Sequence, residues 1–141
     1  MFAALALLLV VAPPHFQAGH SWHVGAQGSW GWASTVRYRD CRDCIPPHRT
    51  LARLRPDGIV IQLGNFWAEH PPQASPGEWP PQIRRKDVIR GGSEGIPGQV
   101  GYAQWFTRSR GIEHYLWVWF GRSHPTRRQL ARANAELQTA R

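Results

Sequence analysis

Residues 112–120, IEHYLWVWF, are the stretch on which the fold turns. As an extended strand they place Ile112, His114, Leu116, Val118 and Phe120 on one face and Glu113, Tyr115, Trp117 and Trp119 on the other, because strand side chains alternate. Just upstream, QVGYAQWFTRSR (99–110) has the same strand character, and Gly111 lies between the two runs. That is the pattern of an antiparallel hairpin. On the upstream strand Tyr102, Gln104 and Phe106 alternate with Ala103, Trp105 and Thr107. The aliphatic face of the hairpin can take a helix. The other carries Tyr115, Trp117 and Trp119, with Trp105 expected beside them across the hairpin.

Working outward, IVIQLGNFW (59–67) is almost continuously apolar and branched from Ile59 to Leu63, and it follows the turn signal RPDG (55–58). It predicts a central strand. WGWASTVRYR (30–39) predicts another strand and KDVIR (86–90) a short one. PPHRTLARL (46–54) predicts a short helix, since proline is tolerated where backbone donors are unpaired anyway. The last segment, SHPTRRQLARANAELQTAR (123–141), predicts a helix, capped either by a Thr126/Gln129 box or by Ser123. Its stripe of Leu130, Ala133 and Leu137 would lie on the sheet. The expected fold is therefore α+β: a mainly antiparallel sheet of about four strands, a short helix after the cysteine turn, and a C-terminal helix on one face.

The 141 residues suit a single domain. Residues 1–18 hold an apolar run from Phe2 to Ala12, stopped by Pro13 and Pro14. Eleven helical residues span about 16 Å, short of the ~30 Å hydrocarbon core, so the run fits a secretory leader better than a membrane span. Residues 19–29, rich in Gly and His, predict a flexible lead-in, and the domain proper is expected over 30–141. Within it AEHPPQASPGEWPPQ (68–82) carries five prolines and predicts a long irregular loop bearing Trp79. Any membrane contact is expected only through an uncleaved leader.

Both cysteines stand in RYRDCRDCIPPH (37–48). A redox C-x-x-C normally has its first sulfur at a helix N-terminus. Here the helix starts only near Pro46 or Pro47, after both cysteines, and Asp40 and Asp43 offset Arg39 and Arg42. A zinc reading joins Cys41 and Cys44 to His48 and His23, with His20 as an alternative. The preferred reading is a disulfide, because two cysteines in an exported domain usually pair. Closing so small a loop contributes only about 2 kcal/mol.

Other chemistries find little support. GGSEG (91–95) matches G-x-S-x-G, but the IPG that follows forbids the helix a Ser93 nucleophile needs. The nine acidic residues form no close pair suited to glycoside hydrolysis. His114, on an apolar strand face, reads as a core residue rather than a base. The net charge of +8, with all basic residues except Lys86 being arginine, predicts attraction to anionic polymers. Arg84, Arg85 and Lys86, Arg108 and Arg110, and Arg127 and Arg128 form basic clusters. Interleaved with Trp105 and Tyr115 they have the character of a nucleic-acid platform, but export disfavours that role.

The segments STVRYRDC, EGIPGQVGY and VWFGRSHPTRRQLARANAEL resemble parts of small uncharacterised exported proteins from GC-rich bacteria. The resemblance implies export and carries no activity, cofactor or site residue. The expectation is thus an exported binding or structural-interaction domain without a catalytic constellation or resident cofactor. Its candidate face is Trp105, Tyr115, Trp117 and Trp119, with Trp79 on the loop. Its partner is an anionic cell-surface polymer or another protein. The alternative is a thiol-redox or zinc protein centred on the cysteine pair.

Overall fold

The alternation in residues 112–120 is answered by residues 59–67. These two strands pair antiparallel over nine rungs, from Ile59 opposite Phe120 to Trp67 opposite Ile112. The computed structural model describes residues 11–19, 21–41, 44–67, 79–109 and 111–141. In chain order its elements are β1 (His23–Gln27), β2 (Trp30–Ser34), α1 (His48–Leu51), β3 (Ile59–Trp67), β4 (Ile89–Arg90), β5 (Gly101–Ser109), β6 (Ile112–Phe120) and α2 (Arg127–Leu137). All the strands join one six-stranded antiparallel sheet in the order β1-β2-β3-β6-β5-β4.

One face of this sheet is a continuous apolar layer. Ala33, Ile59, Ile61, Leu63, Leu116, Val118 and Phe120 are buried there with Ala133 and Leu137 of α2, and with Ile83 and Phe16 from the flanking chain. The helix begins with a reciprocal cap: Thr126 Oγ1 accepts from Gln129 N at 3.1 Å, and Gln129 Oε1 accepts from Thr126 N at 3.0 Å. Thr126, not Ser123, is therefore the cap residue. Gln129 Nε2 also donates to Pro56 O (2.9 Å) and Gly58 O (3.3 Å). This ties the start of the helix to the turn that launches β3.

On the opposite face a smaller cluster forms around Trp119, with Val60 from the sheet and Leu51, Ile96 and Val100 from the covering segments. The one-turn helix α1 and the chain around residues 91–100 lie over this part of the sheet. Among the described residues no helix is long and apolar enough to cross a membrane.

Four expectations need correction. The sheet has six strands rather than about four, and β1 comes from the segment expected to be a flexible lead-in. A two-residue turn makes that strand: Gln27 pairs with Trp30 and Gly28 takes φ 62°, the left-handed conformation that tight hairpins require. The strand predicted over 30–39 ends at Ser34, where Val36 N donates to Ser34 Oγ (3.2 Å) and the chain turns away. The strand predicted over 86–90 is reduced to Ile89–Arg90, preceded by a 3-10 turn at Arg85–Asp87.

The boundary at residue 18 also moves. Phe16 is 6% exposed within the helix-side core, and His15 and Arg141 exchange backbone hydrogen bonds at 2.9 and 3.0 Å. Gln17 N donates to Thr139 Oγ1 as well (3.1 Å). Residues 14–17 are thus built into the domain. The apolar run over 1–10, and residues 68–78 of the Pro-rich loop, lie outside the described residues. Phe16→Ala is expected to lower unfolding stability by about 3 kcal/mol, the usual cost of emptying a buried phenylalanine site. A urea midpoint unchanged from wild type would place this segment outside the fold.

Candidate functional site

Among the described residues the second face of the sheet is not uniformly covered. At one end Trp119 is wholly buried (0% exposed), and Trp117 stacks against it at 5.7 Å with rings 7° from parallel. Tyr102 stacks on Trp117 in turn, at 6.3 Å. In the middle, buried Gln62 uses its Nε2 to donate to Tyr38 Oη and to Cys44 O (3.2 Å). Trp32 lies flat on Tyr38 at 4.8 Å. These contacts draw the cysteine turn down onto the centre of the face.

Beyond them the face continues as a row of rings crossing four strands. Trp30 meets Phe66 edge-on at 5.4 Å, Phe66 meets Tyr115 edge-on at 5.6 Å, and Tyr115 meets Phe106 at 4.9 Å. The register explains the row, since Gly64 pairs with both Trp30 and Tyr115, and Tyr115 pairs with Phe106. Gly64 is also what lets the rings lie over β3. A Cβ there would come within 2.7 Å of Phe66 Cε2 and 2.8 Å of Trp30 Cζ3. Phe106, in this row, is 45% exposed; Trp67, which the register opposite Ile112 sets toward the helix-side face at the end of β3, is 51% exposed. Trp30, Phe66, Trp67, Tyr115 and Glu113 line a cleft of about 330 Å³. Its polar edge is Glu113, which is ion-paired with Arg108 and accepts from Tyr115 Oη at 3.2 Å.

Of the aromatic residues anticipated as a binding face, Tyr115, Trp117 and Trp119 do share this side of the sheet, and only Tyr115 lines the cleft. Trp105 does not join them. The β5–β6 register sets Gln104 opposite Trp117 and Trp105 opposite Leu116, so Trp105 packs on the helix side. Trp79 is on the helix side too, stacked on His114 at 4.9 Å and 20°. Trp30, Phe66, Trp67 and Phe106 were missed as site residues. The period of two in 59–67 already puts Gly64 and Phe66 on one face, but only the strand order brings Trp30 and Tyr115 to either side of them.

The sulfurs of Cys41 and Cys44 lie within bonding distance, with Cα atoms 5.1 Å apart. Cys41 O accepts from Cys44 N and from Tyr38 Oη, each at 3.2 Å. The carboxylate of Asp40 accepts from Arg49 N (3.1 Å) and Thr50 N (2.7 Å), two donors at the start of α1. Of the histidines weighed as ligands, His48 places Nδ1 3.1 Å from Gly95 O, and His23 sits at the start of the edge strand β1, opposite Ser34. Among the described residues no three His, Cys, Asp or Glu side chains converge to hold a metal ion. Ser93 lies in a turn in which its carbonyl accepts from Ile96 N at 3.0 Å, and β5, not a helix, is the next regular element.

His114 occupies a second, smaller cavity on the helix side with Leu63, Asn65, Trp79 and Leu137. Its Nδ1 is 2.7 Å from Asn65 Oδ1. Burial holds its pKa below the ordinary 6.5.

Comparison with family models, curated proteins and solved structures returns no match to this chain.

The depressed His114 pKa has a consequence for stability. The unfolded chain takes up this proton more readily than the folded protein, so the stability carried by neutral His114 is complete above pH 6.5 and is lost as pH falls below that value. Urea midpoints measured near pH 7.5 and near pH 5.5 should fall at the lower pH, and His114→Gln should narrow the difference. An equal drop in wild type and variant would assign the effect to other groups.

Proposed function

We propose that this chain is an exported binding module whose contact surface is the aromatic row at the open end of the second sheet face. The observation that carries this reading is the abrupt end of the cover. Trp119 is sealed beneath α1 and residues 91–100, while Phe106, on the same sheet face, stays about half exposed. A row that served only to fill the interior would be covered along its whole length.

The chemistry of the cleft favours a ligand with a flat apolar ring face and a polar rim. Trp30, Phe66, Trp67 and Tyr115 offer stacking surfaces of low conformational cost, and the Glu113–Arg108 pair offers acceptors and donors along one edge. A sugar ring answers that description, with hydroxyls for the charged edge and C–H faces for the rings.

The cysteine pair supports the export reading and a structural role. Disulfides persist in oxidising compartments. Here the pair holds the turn whose Cys44 carbonyl receives Gln62 at the centre of the face. A redox role is less well supported, because the helix after the pair is a single turn and its first free donors are taken by the negative Asp40.

Titration of intrinsic tryptophan fluorescence with soluble β-1,4-linked glucose and N-acetylglucosamine oligomers tests the reading. Saturable binding is expected, weakened about tenfold or more by Phe106→Ala with the melting temperature unchanged, as for an exposed stacking contact of the row. Absence of binding to either oligomer, or full binding by Phe106→Ala, would contradict it.

A further inference from the structure

At the other end of the strands from the aromatic cleft lies a separate cavity of about 590 Å³, lined by residues including Trp22, His23, Arg37, Arg55, Asp57 and Arg132. Its three arginines come from three different parts of the chain. Arg37 is on the segment leaving β2, Arg55 in the turn before β3, and Arg132 on α2. Among the described residues none of the three is in an ion pair. Arg132 lies over the Trp22 ring at 5.6 Å from its centre, a cation–π contact that holds the guanidinium in place and leaves its charge intact. Asp57 is the single carboxylate in the lining.

The backbone beneath these side chains is pinned. Thr35 N donates to Ile59 O at 3.0 Å, and Ile59 N donates to Thr35 Oγ1 at 2.9 Å. Arg55 O accepts from Gly58 N (2.8 Å), and Pro56 O accepts from both Gln129 and Arg122 (2.9 and 3.0 Å). The elements carrying the arginines are therefore ordered before any ligand arrives. Three arginines and one carboxylate line this cavity, so its charge is unbalanced and positive. An anion would relieve that imbalance, and guanidinium forks match the paired oxygens of phosphate and carboxylate groups.

We propose that this cleft is an anion site that takes a compact ligand bearing two or more negative groups, phosphates or clustered carboxylates. Its volume is within the range of small-molecule sites and larger than one phosphate needs. The site is independent of the aromatic cleft and stands whether or not that cleft binds sugar.

Titration calorimetry on the full chain with inorganic pyrophosphate, and separately with citrate, tests it. One saturable site is expected. Arg55→Gln and Arg132→Gln should each weaken binding about tenfold, while Asp57→Asn should tighten it roughly threefold by removing the opposing charge. Arg55 is exposed, so its variant should keep the wild-type melting temperature without ligand. Arg127→Gln with Arg128→Gln, a pair outside the cleft, should bind as wild type. Binding of pyrophosphate alone would identify phosphate as the ligand chemistry, and binding of both would identify clustered charge of either source. No saturable binding of either, or an equal loss in the Arg127/Arg128 variant, would overturn the proposal in favour of diffuse attraction.

Discussion

Everything in this molecule depends on the pairing of β3 with β6. Nine rungs lock the register from Ile59 opposite Phe120 to Trp67 opposite Ile112. A slip of one residue would turn every side chain of a strand to the other face. With the register as it stands, Ile59, Ile61 and Leu63 meet Phe120, Val118 and Leu116 on one side, and α2 closes over them. At about 1.5–3 kcal/mol for each fully buried aliphatic or aromatic side chain, this layer supplies most of the stability available to a domain of this size. Apart from Trp67, Trp105 and Phe120, it leaves the large rings of the central strands, Trp30, Phe66, Tyr115, Trp117 and Trp119, to the second face.

That second face has only a short cover among the described residues. The chain from Tyr38 to Leu54 contributes a single helical turn, held by Asp40 at its start and by His48 against Gly95. Gln62, a polar residue buried in the middle of β3, gives the cover a fixed landing point through Tyr38 and Cys44. An unpaired amide there would be costly, so the hydrogen bonds position the turn more than they add net stability. Among the described residues the cover reaches from this landing point over Trp119 and no further. The aromatic row continues past it through Phe66 and Tyr115 to Phe106, and the proposed binding role follows from that difference in extent.

Much of the frame was legible in the residues. The strand character of 59–67, the hairpin around Gly111, the two faces of 112–120 and the capped C-terminal helix all follow from periodicity and turn chemistry. What failed has identifiable causes. β1 escaped because His23–Gln27 has no apolar alternation, and its strand conformation is imposed by a hairpin turn whose only mark is Gly28. Trp105 was expected on the wrong face because parity across a hairpin depends on where the turn closes. Ser109 pairs with Ile112, and that rung places Trp105 with Leu116. The aromatic cleft needed the order β2-β3-β6-β5, which no local pattern encodes. The arginine cleft is a product of the same tertiary assembly, joining residues 37, 55 and 132.

The central claim is that one sheet face is divided into a sealed half and an open half. Hydroxyl-radical footprinting read residue by residue by mass spectrometry tests it directly, since ring oxidation follows solvent contact. Phe106 is predicted to be labelled readily while Trp119 stays protected in the folded protein. Protection of Phe106 to the level of Trp119 would show that the whole face is covered and that the aromatic row is interior.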